Sequence, residues 1–202
     1  MNDIGRVQLK KSADGRRPRV VAIGGSQRSG SSTAACVEVA LEPLREAGFA
    51  VVHFDGEALE RLPFYPDGVG EAPVAEELVE AVRVADAVLV ASPGYHGSLS
   101  GLVKNGLDYL EELREDERPY LSGRPVGCIA TGAGWQAAVA TLGALRAVVH
   151  ALRGWPTPLG AAVNTVEIEA DPEARARAEA QLCALGGQVL EFVARPRLVE
   201  PS

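Results

Sequence analysis

The sequence predicts an α/β fold built on a parallel sheet, and three observations carry that prediction. Short β-branched runs alternate along the chain with longer helical patterns, and the run at 87–91 reads Ala-Val-Leu-Val-Ala, apolar at every position, as in a strand covered on both faces. Five strands, each followed by a helix, require right-handed crossovers that lay helices against the sheet. A length of 202 residues with 47% hydrophobic content suits one compact domain with a core of its own.

The elements follow in order. A first strand is expected over 19–23 and a helix over 32–47 that stops before Gly48; the second strand is 50–54. A loop over 55–72 leads to a helix over 73–85, whose opening Pro73 suits a first helical turn. The third strand, 87–91, precedes a helix over 100–114 and a connection at 119–123. A fourth strand at 125–130, a long helix over 135–152, a weaker fifth strand at 160–165 and a terminal helix over 172–193 complete the pattern. In such a sheet ligands sit beyond the carboxyl ends of the strands, which directs attention to the loops after strands one, three and four.

Residues 19–195 therefore read as one domain and 1–18 as a flexible basic tail. Six basic residues stand against Asp3 and Asp14 in the first 19, which leaves −11 on the rest of a chain whose net charge is −7. An acidic body argues against nucleic acid as a partner. The apolar runs fall far short of the ~20 residues a bilayer span needs, so no membrane role is expected. The first residues carry no apolar signal segment, which points to the cytoplasm. Cys36, Cys128 and Cys183 form no disulfide or metal pattern and are expected to be reduced, buried small hydrophobes; His53, His96 and His150 share no metal-ligand spacing, so no metal is expected.

The loop after strand one runs Gly24-Gly25-Ser26-Gln27-Arg28-Ser29-Gly30-Ser31-Ser32-Thr33. Five of the eight residues from Ser26 to Thr33 carry hydroxyls, whereas capping a helix needs one. Helix N–H groups, hydroxyls and the Arg28 guanidinium together suit a phosphate. Ser31 stands where a Walker A loop has its lysine, and Ser26 where a dinucleotide loop has its second glycine. The dinucleotide reading keeps Asp55, at the end of strand two, as a candidate ribose ligand. The loop has no cysteine for phosphatase chemistry, and a terminal monophosphate fits best.

After strand three come Ser92-Pro93-Gly94-Tyr95-His96-Gly97-Ser98-Leu99-Ser100-Gly101, and after strand four Thr131-Gly132-Ala133-Gly134. The glycines allow a flat ligand close to the backbone, Tyr95 and His96 offer ring surfaces, and the second loop could present N–H groups to a carbonyl-rich ring edge. A plain capped turn explains the first loop equally well. A Ser-His-Asp reading on Ser26, His96 and Asp108 lacks the nucleophile elbow. Arg146, His150 and Arg153 share one helical face, suited to solvent, a subunit contact or a nucleotide phosphate.

Together these loops resemble the NADPH-dependent FMN reductase family of flavodoxin-like proteins. The pattern G-S-x-R-x-x-S-x-[NT] is met by Gly25, Ser26, Arg28, Ser31 and Thr33, and S-P-E-Y-[NH]-G-S-x-x-G-x-L-K-N by Ser92, Pro93, Tyr95, His96, Gly97, Ser98, Gly101, Lys104 and Asn105. Gly94 replaces the pattern's glutamate, and Val103 its leucine. The resemblance implies a three-layer sandwich with a five-stranded sheet in the order 2-1-3-4-5. It implies that Ser26, Arg28, Ser31, Ser32 and Thr33 hold the FMN phosphate, that Pro93, Gly94, Tyr95, His96, Gly97 and Ser98 line the isoalloxazine, and that Thr131, Gly132, Ala133 and Gly134 lie near its pyrimidine edge. The implied activity is NAD(P)H:FMN oxidoreduction, with NADPH or NADH as donor and no side-chain acid or base required. Reduced FMN would be supplied to a partner monooxygenase. The competing readings are a reductase that keeps FMN and reduces a quinone, azo dye or metal oxyanion, and a flavodoxin-type carrier. The implied assembly is a homodimer or homotetramer whose interface includes residues 62–66 and the helix from Ser100. A side chain at 94 is expected to point away from the flavin ring towards a neighbouring subunit, so that Gly94→Glu would be tolerated, whereas Gly97→Val would obstruct the ring.

Overall fold

A computed structural model describes residues 16–28 and 30–195. Its main sheet runs β2 (Ala50–Phe54), β1 (Arg19–Gly24), β3 (Ala87–Tyr95), β5 (Pro125–Gly132), all parallel, with β6 (Trp155–Pro156) and β7 (Ala161–Asn164) end to end along the outer edge of β5. The register sets Val20 beside Val51 and Ala87, and Leu89 beside Gly127. Counting the split edge as one strand, this is the expected 2-1-3-4-5 order.

Alternation along the strands builds two cores. Val21, Ile23, Val88, Val90, Val126 and Cys128 face one side, where they meet Leu78, Leu107 and Leu145 from α3 (Pro73–Arg83), α4 (Gly101–Asp108) and α5 (Trp135–Ala151). Val20, Ala22, Leu89 and Ile129 face the other, under α1 (Ser32–Glu46) and α7 (Pro172–Ala194). In α1 the buried residues Thr33, Cys36, Val37, Ala40, Leu41 and Leu44 recur at the helical period and point at that core. Pro43 lies inside the same helix and has no N–H for the Val39 carbonyl; the Cys183 thiol of α7 approaches that oxygen at 3.9 Å instead.

The structure departs from the expected elements in five places. The expected loop over 55–72 contains a short helix, α2 (Gly56–Glu60), capped by Asp55, whose Oδ1 accepts from Ala58 N at 3.0 Å. The helix expected over 100–114 is α4 followed by a 3₁₀ turn (Tyr109–Leu113). Strand three extends through Tyr95 and folds back on β4 (Ser98–Leu99) as an antiparallel hairpin. The fifth strand is two pieces, because Pro156 and Pro158 have no ladder donor and Leu159 N donates to the Gln188 side chain. After β7 the chain enters α6 (Thr165–Ala170).

Most of the expected basic tail over 1–18 lies outside the described residues. Arg16 is described, and its guanidinium grips both Asp86 carboxylate oxygens, at 2.8 and 3.0 Å, while Arg19 N donates to the same carboxylate. Among the described residues no helix is long and apolar enough to cross a membrane, and no three His, Cys, Asp or Glu side chains gather to hold a metal.

Candidate functional site

The carboxyl ends of β1, β3, β5 and β7 converge on one cleft of about 440 Å³, within the usual size of a small-molecule site. Its first wall is the loop after β1. Gly24 sits at φ 144°, and a Cβ there would fall 1.9 Å from the Ala91 carbonyl oxygen of β3, so only glycine lets the two strands stay paired to this point. Gly30, at φ 71°, turns the chain into α1. Ser31 caps that helix: its Oγ accepts from Ala34 N at 3.2 Å and from the Ser26 hydroxyl at 3.0 Å. The first-turn N–H groups have no intrahelical acceptor and carry the positive end of the helix dipole. Arg28 is exposed beside them, and among the described residues no group pairs with it. Aligned N–H donors beside a guanidinium are the groups with which proteins commonly take up anions.

Thr33 differs from its neighbours. Its hydroxyl is buried and lies 2.7 Å from that of Thr131, so it ties the first loop to the loop after β5.

The second wall is the β3–β4 hairpin. Ser92 at its base is buried; its Oγ accepts from Ser100 N at 2.8 Å, and Ser100 in turn caps α4 through Val103 N. His96 and Gly97 form the two-residue turn, both at positive φ, 51° and 89°, as the right-handed twist of a tight hairpin requires. Pro93, Gly94 and Tyr95 line the cleft, whereas His96, Gly97 and Ser98 stand outside its lining in the exposed turn. The expected obstruction of the cleft by a side chain at 97 therefore has no support in this geometry: a Cβ there meets no protein atom within 4 Å, and its cost is the backbone strain.

The third wall is the loop after β5, where Thr131, Gly132 and Ala133 line the cleft and Gly134 instead caps α5. Two lining residues escaped the sequence reading, Gly30 and Thr165. Thr165 donates to the Gly132 carbonyl at 3.1 Å, tying the start of α6 to this loop. Its signal was its position at the carboxyl end of the fifth strand.

Several residues of the sequence patterns hold structure instead. Asn105 Oδ1 accepts from Tyr65 N at 2.9 Å and its Nδ2 donates to the Pro63 carbonyl at 2.8 Å, while Tyr109 OH reaches the same carbonyl and its ring meets Tyr65 edge-on. Within the loop so held, Leu62 is buried and Phe64 is 79% exposed. Asp108 pairs with Lys104 and Ser26 with Ser31, so no hydrolytic triad forms with His96. Arg146 donates to the Pro158 carbonyl, Arg153 stacks over the Tyr120 ring, and neither they nor His150 line the cleft. His53 sits between the Gly24 carbonyl and Glu38. Burial pushes the Glu38 carboxyl up, but hydrogen bonds from Arg45 and His53 outweigh it and hold the group below its ordinary value. Burial pushes the Cys36 thiol up to about 11 and that of Cys128 to about 12, so both stay protonated at neutral pH.

Residues 18–167 match the family described as NADPH-dependent FMN reductase. An NAD(P)H-dependent FMN reductase of Pseudomonas aeruginosa is 34% identical over 119 residues, 57% of this chain and 60% of that protein. An FMN-dependent NADPH-azoreductase of Staphylococcus aureus is 35% identical over 83 residues, 41% of this chain and 40% of that protein. The chain thus spans roughly half the length of these curated relatives. The crystal structure of an oxidoreductase from Corynebacterium diphtheriae superposes with a TM-score of 0.71 at 22% identity, over 88% of this chain and 98% of that one, a likeness of fold.

Proposed function

Because the chain belongs to the NADPH-dependent FMN reductase family, we propose that it transfers a hydride from a reduced nicotinamide nucleotide to FMN in the cleft described above. The observation that carries the proposal is the pairing, in one cleft, of a guanidinium at a helix N-terminus, without a partner among the described residues, with a wall of small residues and an exposed tyrosine. Arg28, the hydroxyls of Ser26, Ser31 and Ser32 and the N–H groups of the first turn of α1 hold the phosphate. Pro93, Gly94 and Tyr95 line one side of the ring, and the backbone of 131–133 meets its pyrimidine edge, where N–H donors stabilise negative charge. FMN, when bound, supplies a ring nitrogen that accepts the hydride, so the protein's task is to position and to exclude water. No side-chain acid or base is assigned.

The reduced flavin is released to a partner monooxygenase. A second reading, favoured by the azoreductase named above, keeps FMN bound and passes electrons to an azo dye, quinone or metal oxyanion. Steady-state NADPH and NADH oxidation with and without added FMN tests both. Turnover that rises with added FMN supports release, turnover on bound flavin with an azo acceptor supports the second reading, and no oxidation in either case leaves a one-electron carrier. The active unit is a homodimer or homotetramer with the Phe64 loop in its interface; a fully active monomer in sedimentation at micromolar concentration would remove that part.

A further inference from the structure

The hairpin wall has a steric peculiarity. Gly94 does not adopt the positive φ that would call for glycine, yet a Cβ built on it falls 2.5 Å from Thr141 Oγ1 and 3.0 Å from the Ala137 carbonyl oxygen, both on α5. Gly132 on the neighbouring strand shows the same thing: a Cβ there would come within 2.8 Å of Ala138 N. The early turns of α5 therefore settle onto two glycines, one from β3 and one from β5. At that depth Thr141, fully buried, donates its hydroxyl to the Ser98 carbonyl at 3.2 Å. Ser98 is the residue at which the hairpin returns, paired with Tyr95 across the turn.

We propose that Thr141 is a positioning residue for the ring-facing hairpin and that Gly94 is its steric complement. The missing side chain at 94 lets the Thr141 hydroxyl reach Ser98, and that bond sets the angle at which Tyr95 stands beside the cleft. A side chain at 94 and a hydroxyl at 141 exclude each other in this packing. The expectation from sequence that a residue at 94 would point harmlessly outwards is corrected accordingly: it points away from the cleft, but into α5. The inference rests on the flavin reading for its functional consequence and on packing alone for its physical core.

A cycle of Gly94→Ala, Thr141→Ala and the double variant tests it, with Thr141→Ser and Thr141→Val as shape and donor controls. Overpacking makes Gly94→Ala the worst single change, weakening FMN binding by about tenfold or more. The double variant recovers part of that loss, because the nearest clashing atom is gone, and the two changes are therefore not additive. Thr141→Ser keeps the hydroxyl and binds FMN like the parent. Thr141→Val loses it, shifts the absorption band of bound flavin and raises KM for the nicotinamide more than it lowers kcat. Additive losses in the cycle, or a serine variant no better than the valine one, would overturn the proposal. The same cycle read by thermal midpoint separates the two levels. Non-additive midpoints in a protein that binds no FMN would retain the packing pair and reject the flavin reading, whereas additive midpoints with normal FMN binding would reject the pair alone.

Discussion

The two ends of the cleft are built in opposite ways. At the end proposed for the phosphate, Ser26, Ser31 and Ala34 interact within one loop and one helical turn, and Gly30 answers to backbone conformation alone. At the ring end, Ser98 is bound by Thr141, 43 residues on, and Gly94 answers to a helix that happens to lie above it. Thr33 and Thr131, 98 residues apart, link the two. An anion site can thus be made from a short segment because its donors are backbone N–H groups already aligned by the helix. A site for a flat ring needs walls whose separation is fixed by the packing of different layers.

The largest expected effect tests the boundary of the local end. Gly24→Ala sets a methyl against the β3 backbone, at 1.9 Å from Ala91 O in the present geometry, and adds strain at positive φ. It should cost about 4 kcal/mol or more and lower the thermal midpoint by roughly 8–16 °C, as read by circular dichroism. A midpoint within 2 °C of the parent, a change of about 1 kcal/mol or less on that scale, would mean that the strand pairing at Gly24 is dispensable. Next comes Arg28→Ala. With no partner to lose among the described residues, it should leave the melting curve unchanged while weakening FMN binding by about 1.5–3 kcal/mol and riboflavin binding hardly at all. Equal losses for both flavins would remove the phosphate assignment.

At the ring end, Ser92→Ala leaves the buried Ser100 N–H without its acceptor and should cost about 1–3 kcal/mol of stability. If this bond anchors the hairpin, hydrogen exchange will quicken in 94–99 and not in 26–34; protection lost equally in both would erase the contrast. The smallest effect is that of pH on the Glu38 carboxylate. Because its folded value is lowered, the stability it contributes is present above the unfolded value of about 4.3 and is lost as pH falls through the folded one. The group is half exposed and its partners are screened, so the acid limb of a melting-temperature profile should differ only slightly between the parent and Glu38→Gln, and less still in high salt.

Legibility in the sequence divides along the same line. The parallel sheet, its strand order once the family patterns are recognised, and the helix of residues 32–46 were readable because alternation and helical spacing are properties of neighbouring residues. The hydroxyl-rich turn before that helix was readable too, and its cap, Ser31, lies within that run. Asp55 shows the converse. It stands at the end of a strand, where a ribose ligand would be, and only the turn into α2 reveals that it caps a helix. Asn105 belongs to a pattern shared with flavin reductases, yet its amide is engaged by the backbone at Pro63 and Tyr65.

What the sequence by itself determined is the parallel sheet with its main helices, the capped and glycine-turned loop after β1, and the acidic body of the chain. What only the tertiary structure decided is how the far walls meet: the split edge strand that delivers Thr165, the bond from Thr141 to Ser98, and the seating of α5 on Gly94 and Gly132. The physical reason is one of range. A cap or an alternating strand is fixed by residues within a turn or two, so its energetics can be read from spacing. The depth to which α5 descends is the sum of every contact between it and the sheet, and no short stretch of the chain contains that sum.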